Sequence, residues 1–215
     1  MSRNCNLLRD TQFLHMEMAQ SDENLMLAVR NGDLEKLGVL FDRYHRNLFD
    51  FFAKLTGSRT AAEDLVQDVF FRILRYRDTF RNESRFKAWM FHIARNARID
   101  YYHKHQVETV LEDDGANIPE STLPFPGHRL EEEQNRVLLE CAMFKLSEEK
   151  REVLILSRYQ EMKYEQIAEL MGCEVGAIKV RVHRAIKELR EIFLKLSSEK
   201  LPCNVKKSEN NLRIM

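Results

Sequence analysis

The scarcity and placement of chain-breaking residues constrain this sequence most. Its 215 residues include only seven glycines and four prolines, and three of the prolines (Pro119, Pro124, Pro126) crowd into one short stretch. A many-stranded sandwich or barrel needs frequent turns, and turns need Gly, Pro, Asn and Asp at set positions. A chain this poor in turn-formers, with long periodic apolar stretches, is expected to be all-α. The proline cluster also contains Gly115 and Gly127 and follows Glu112-Asp113-Asp114. Between Gln106 and Asn135 eight acidic residues face the single Arg129, a net charge of minus seven. Such a stretch reads as a flexible acidic linker. The expected organisation is an N-terminal extension over 1–21, a small helical domain over 22–105, the linker over 106–128, a second helical domain over 129–196 and a tail over 197–215.

Apolar periodicity and cap chemistry divide each half into four helices. In the N-terminal half they are expected near 22–31, 33–55, 60–77 and 84–103. Gly32 and Gly57 follow the first two, and Ser58 and Ser84 precede the last two. In the C-terminal half they are expected near 129–145, 148–159, 163–171 and 175–195. Ser147 is a plausible N-cap with Glu148 and Glu149 in the first turn. With 44% hydrophobic residues the chain can bury a core, and with 32% charged residues it can clothe the helices in solvent-facing polar groups.

Several classes are disfavoured. Cys5, Cys141, Cys173 and Cys203 are far apart and form no CxxC, so free thiols and a cytoplasmic location are expected. His103 and His105 have no cysteine nearby, which makes a metal site a poor reading. No apolar run approaches the ~20 residues of a membrane span, and the N-terminus lacks the apolar stretch of a signal peptide. There is no Gly-rich phosphate loop, no nucleophile elbow and no cluster of metal ligands. No catalytic residue, cofactor or metal is therefore expected.

Three helices carry more than core. The helix near 60–77 has an apolar stripe of Ala62, Leu65, Val66, Val69, Phe70, Ile73 and Leu74. Its other face presents Asp64, Asp68, Phe71 and Arg75, with Gln67 at the margin. Phe71 reads either as an isolated exposed apolar residue or as an aromatic docking anchor ringed by charge. The helix near 84–103 buries Phe86, Trp89, Met90, Ile93 and Ala97 on one side. Its far side carries Lys87, Phe91, Arg95, Arg98 and Tyr102, suited to neutralising phosphates and stacking on unpaired bases. Residues 81–106 carry a net plus four. The third case is 164–196. A short helix ends at Gly172-Cys173-Glu174, and a second helix follows with Val175, Ile178, Val182, Ala185 and Leu189 at steps of three and four. That is the spacing of a helix-turn-helix. Its outward side shows Lys179, Val180, Arg181, His183, Arg184 and Lys187, and residues 176–196 again carry plus four. Lys and Arg there can reach phosphates and guanine edges in a major groove.

These segments, in this order, resemble a known family. Leu40-Phe41-Asp42-Arg43-Tyr44 is similar to the entry into the first helices of bacterial RNA polymerase sigma factors of the extracytoplasmic-function class, the small two-domain branch of the sigma-seventy family. Ala62-Glu63-Asp64-Leu65-Val66-Gln67-Asp68-Val69-Phe70 resembles their polymerase-docking helix. Phe86-Lys87-Ala88-Trp89-Met90-Phe91-His92-Ile93-Ala94-Arg95-Asn96 resembles the helix that grips the downstream promoter element. Residues 164–172 and 175–185 resemble their helix-turn-helix. The match covers residues 22–195.

The resemblance implies a sigma factor that binds core RNA polymerase and directs promoter recognition and DNA opening. Its implied partners are core RNA polymerase, promoter DNA and an anti-sigma factor, without membrane insertion. It implies that Glu63, Asp64, Gln67, Asp68 and Phe71 dock on the polymerase. Phe80, Arg81, Ser84, Arg85, Lys87, Phe91, Arg95, Asn96, Arg98 and Tyr102 are implied to hold the melted downstream element. Lys179, Val180, Arg181, His183, Arg184 and Lys187 are implied to read the upstream element as duplex. His92 and His183 stand where family members vary, which leaves the base preference open. The alternative is a stand-alone helix-turn-helix regulator that binds duplex DNA without polymerase; such a protein has no need of the Asp64/Phe71 face. The formal net charge of zero does not exclude DNA binding, because it is a cancellation between basic helices and an acidic linker.

Overall fold

A computed structural model of the chain describes residues 20–81, 84–109 and 130–198. The expected extension, linker and tail lie almost wholly outside these residues. The described residues form eight α-helices and no strand: α1 (Asp22–Arg30), α2 (Glu35–Thr56), α3 (Arg59–Arg75), α4 (Phe86–Thr109), α5 (Leu130–Lys145), α6 (Glu148–Leu154), α7 (Tyr164–Met171) and α8 (Val175–Ser198). The all-α expectation holds, with a helix-turn-helix in the C-terminal half.

Local chemistry sets the ends of the helices. Ser21 Oγ accepts from the Asn24 amide at 3.3 Å, and Asp22 and Glu23 occupy the positive end of α1. Ser58 Oγ does the same for the Ala61 amide at 3.3 Å at the start of α3. Gly57 closes α2 with φ 73, a left-handed conformation that a Cβ would strain, and its amide donates to the Ala53 carbonyl at 2.9 Å. Gly172 (φ 63) does this at the helix-turn-helix, where the Cys173 amide also reaches back to the Ala168 carbonyl at 3.0 Å. Ser147 lies at the start of α6 but makes no side-chain cap; its carbonyl accepts from the Arg151 amide at 3.0 Å.

The helix expected over 148–159 ends its α-helical turns at Leu154. Ile155–Tyr159 form a wider π-turn, closed by the Gln160 amide donating to the Ile155 carbonyl at 3.0 Å. The extra residue turns Gln160 inward, where it is 2% exposed, and leaves Glu161 at φ 50. A left-handed non-glycine residue stores strain.

The two halves pack on each other through a continuous apolar interior. In the N-terminal half Leu48, Phe51 and Phe52 of α2 meet Leu65, Val69 and Ile73 of α3 and Met90, Ala94 and Ala97 of α4, all buried. Phe51 and Phe91 meet edge-to-face at 5.2 Å, as do Phe80 and Trp89. In the C-terminal half Val153, Ile155, Leu156, Ile167, Ile178 and Val182 close the core.

Arg151 knits the halves. Its guanidinium donates to the Leu55 carbonyl at the end of α2 (3.0 Å). It also donates to the carbonyls of Met143 (3.1 Å), Phe144 (2.9 Å) and Leu146 (3.1 Å) around the end of α5. They lie at helix ends, where carbonyls lack their usual intrahelical partners, although the Met143 carbonyl also accepts from the Leu146 amide at 3.2 Å. Burial pushes the Arg151 guanidinium below its ordinary value, with the nearby Tyr102 partly opposing it. Among the described residues Cys173 is a free thiol.

Phe91→Ala empties a fully buried ring site and is expected to destabilise the fold by about 3–5 kcal/mol in urea unfolding. Phe71→Ala, at a ring 64% exposed, is expected to stay within about 0.5 kcal/mol of the parent. Arg151→Ala strands several carbonyls and is expected to cost about 2 kcal/mol or more in the same measurement.

Candidate nucleic-acid interface

Three helix faces were singled out by the sequence, and the structure treats them differently. On α3, Glu63, Asp64 and Gln67 are exposed and Phe71 is 64% exposed. Asp68 is half-buried and pairs with Arg72 at 2.9 Å, one turn along the helix. Arg72 continues to Asp100 of α4 at 2.6 Å. Burial works against the Arg72 charge, but the hydrogen bonds to Asp100 and Asp68 outweigh it and raise its pKa. The result is an exposed ring two turns beyond Asp64, one turn beyond Gln67 and Asp68 and one turn before the exposed Arg75, with Asp68 tied through Arg72 to the neighbouring helix. Glu63 is engaged by Arg59 at 3.2 Å.

On α8 the expected reading face is open. Lys179, Val180, His183, Arg184 and Lys187 are exposed, Val180 to 47%. Arg181 is only partly exposed and points back to Glu149 of α6 at 2.9 Å. Lys150 pairs with Glu188 of α8. These ion pairs, with the buried Ile178, Val182 and Ala185, fix which side of α8 looks outward.

On α4 the expectation needs correction. Phe91 is not outward: it is fully buried against Phe51 of α2. Phe80 is also fully buried, against Phe86 and Trp89, and its carbonyl accepts from Arg30 at 2.8 Å. Neither ring is available to stack on a base in this arrangement. The reason is that α4 is enclosed from two sides, so the face opposite its core stripe does not face solvent.

The polar residues on and just before α4 divide accordingly. Arg81, Arg85 and Asn96 are exposed, Ser84 is partly exposed, and the Asn96 side-chain amide lies 3.3 Å from His92 Nδ1. Lys87 instead donates to the Gln160 carbonyl of the C-terminal half. Burial lowers its pKa, and Glu161 and Asp22 partly restore it. Arg95 is 3.3 Å from Glu152. Arg98, only 4% exposed, pairs with Glu148 and lies 3.5 Å from Glu152. Tyr102 lies under the Arg98 guanidinium at 5.8 Å. The partners Glu148, Glu152 and Gln160 escaped the sequence reading. The available signal was an acid, Glu152, set against the unbroken apolar run Val153-Leu154-Ile155-Leu156. Among the described residues no group of His, Cys, Asp and Glu is placed to hold a metal ion. No helix among them is long and apolar enough to cross a membrane.

Comparison with known proteins identifies the family. Residues 40–107 match the Sigma-70 region 2 family and residues 136–189 match the Sigma-70 region 4 family. The ECF RNA polymerase sigma factor EcfG of Rhodopseudomonas palustris is 37% identical over 145 residues, covering 66% of this chain and 77% of that protein. The RNA polymerase sigma factor CarQ of Myxococcus xanthus is 30% identical over 171 residues, covering 79% of this chain and 96% of that protein. Among solved structures, the sigma factor RpoE of Bartonella quintana, in complex with the anti-sigma factor NepR, superposes with a TM-score of 0.62 at 32% identity. That match covers 74% of this chain and 96% of that one.

Proposed function

We propose a division of labour among the faces of this chain, which belongs to the extracytoplasmic-function (ECF) class of RNA polymerase sigma factors. The chain is a sigma factor: it binds core RNA polymerase and directs promoter recognition and DNA opening. Members of the family are transcription initiation factors. On our reading this one adds no catalytic group of its own, and it works in the cytoplasm, where core polymerase is. The family matches support dividing it into a region-two-like domain over 22–105 and a region-four-like domain over 129–196.

Glu63, Asp64, Gln67, Asp68 and Phe71 form the polymerase-docking face. The observation that carries this is the ring of Phe71, 64% exposed on the same helix face as the exposed Asp64 and the half-buried Asp68. A regulator acting alone on duplex DNA has no use for such an anchor, whereas a docking surface draws most of its energy from one. Lys179, Val180, Arg181, His183, Arg184 and Lys187 read the upstream promoter element as duplex, with Lys and Arg reaching phosphates and base edges. Arg81, Ser84, Arg85, Lys87, Arg95, Asn96, Arg98 and Tyr102 hold the melted downstream element. Phe80 and Phe91 serve the core beneath it. An anti-sigma factor is the third partner, as NepR is of the Bartonella protein.

The double variant Asp68→Ala/Phe71→Ala tests the docking face. Its affinity for core RNA polymerase is expected to fall about 30-fold or more, as for loss of a hot-spot pair, with the thermal unfolding midpoint nearly unchanged. Undiminished polymerase binding would overturn the reading of that face. In the assembled holoenzyme, Arg184→Ala is expected to weaken binding to duplex upstream DNA. If its contact is to phosphate, the slope of log affinity on log salt falls by about one; an unchanged affinity and slope would remove Arg184 from the interface.

A further inference from the structure

Three cationic side chains of α4 assigned above to the downstream element, Lys87, Arg95 and Arg98, are occupied by the C-terminal half of the same chain. We propose that Glu148 and Glu152 of α6 form an internal latch that stands in for DNA phosphates, so that the free protein keeps most of its upstream-reading helix exposed while masking the Arg95 and Arg98 part of its downstream-binding face. This rests on the sigma-factor reading of α4 given above.

The geometry is specific. Glu152 is 3% exposed and lies between two arginines, 3.3 Å from Arg95 and 3.5 Å from Arg98. Glu148 takes the outer side of Arg98, and the Gln160 carbonyl takes Lys87. A carboxylate and a phosphate present the same kind of acceptor to a guanidinium. The same nitrogens cannot serve both, so the closed contact and the strand-bound state exclude one another.

The latch is selective. The upstream face of α8 and the Phe71 face of α3 stay exposed in the closed form. Polymerase and duplex DNA therefore meet largely prepared surfaces, apart from Arg181, which is held by Glu149, whereas the Lys87, Arg95 and Arg98 part of the single-strand surface waits on separation of the halves.

The contact is also built to open. Among the described residues Arg98 Nε and Gln160 Oε1 are buried without a hydrogen-bond partner, and Arg95 Nε and Glu152 Oε1 meet at 3.3 Å as an ion pair without hydrogen-bond geometry. Burying charges is expensive, and incompletely satisfied partners return little of that cost. The charged part of the interface thus specifies one arrangement without adding much stability beyond the apolar packing, and competing phosphates and polymerase contacts can replace it.

The test uses the free full-length chain and two fluorescein-labelled probes, a mixed-sequence 20-nucleotide single strand and the corresponding duplex. Glu148→Gln/Glu152→Gln is expected to tighten single-strand binding about tenfold, the gain from freeing a mostly closed population. Its radius of gyration in small-angle scattering should rise, and its duplex affinity should change less than about twofold. The control Asp33→Asn/Glu35→Gln changes the net charge equally at exposed positions and is expected to leave single-strand binding near the parent value. Glu148→Gln alone, at an exposed acid, gives a smaller gain and guards against misfolding of the double variant. Equal gains in the control, or an unchanged single-strand affinity in a double variant of native helicity, would overturn the latch. The sigma-factor reading fails on a different result, absence of core-polymerase binding by the parent chain.

Discussion

The carboxylate of Glu152 lies buried between Arg95 and Arg98, and most of what distinguishes this molecule depends on that arrangement. A charge removed from water must find its opposite, and here the opposite is on the other half of the chain. The pairing turns the basic side of α4 inward and seats α6 against it. Arg151, one residue earlier, then reaches the end of α2. The π-turn after Leu154 completes the seam by bringing Gln160 inward, where its side chain donates to the Asn47 carbonyl at 3.0 Å. The Phe71 side of α3, the Val180 and Arg184 side of α8, and Arg81, Arg85 and Asn96 remain exposed outside this seam.

Helix positions were legible because their causes are local. Apolar spacing marked the buried stripes of α2, α3 and α8. Ser21, Ser58, Gly57 and Gly172 act where cap chemistry places them. The direction of Phe91 was misread because a helical wheel reports the angle to the core stripe and not what else packs nearby. Phe91 lies well round from Phe86 on α4, yet Phe51 and the covering C-terminal half leave no solvent there. The π-turn was not legible at all, since one additional residue in a turn leaves no periodicity of its own. The acid at Glu152 was visible as a polar residue against an apolar run, but its partners lie more than fifty residues away.

Net neutrality conceals a division of charge in the folded chain as well as along the sequence. Asp64 on α3 and most of the basic α8 face point to solvent, while Arg95 and Arg98 of the third charged surface cancel internally against α6. Weak overall attraction to DNA suits a subunit that should engage promoters only when mounted on polymerase. Specific contacts, once polymerase has aligned both elements, then supply the affinity that net charge does not.

Multi-round transcription with purified core RNA polymerase on a library of promoter sequences tests the central claim most directly. The account predicts transcripts that depend on this chain and start at a fixed distance from a two-part element, its upstream part recognised as duplex. Absence of chain-dependent transcripts, with the chain still binding duplex DNA by itself, would contradict it.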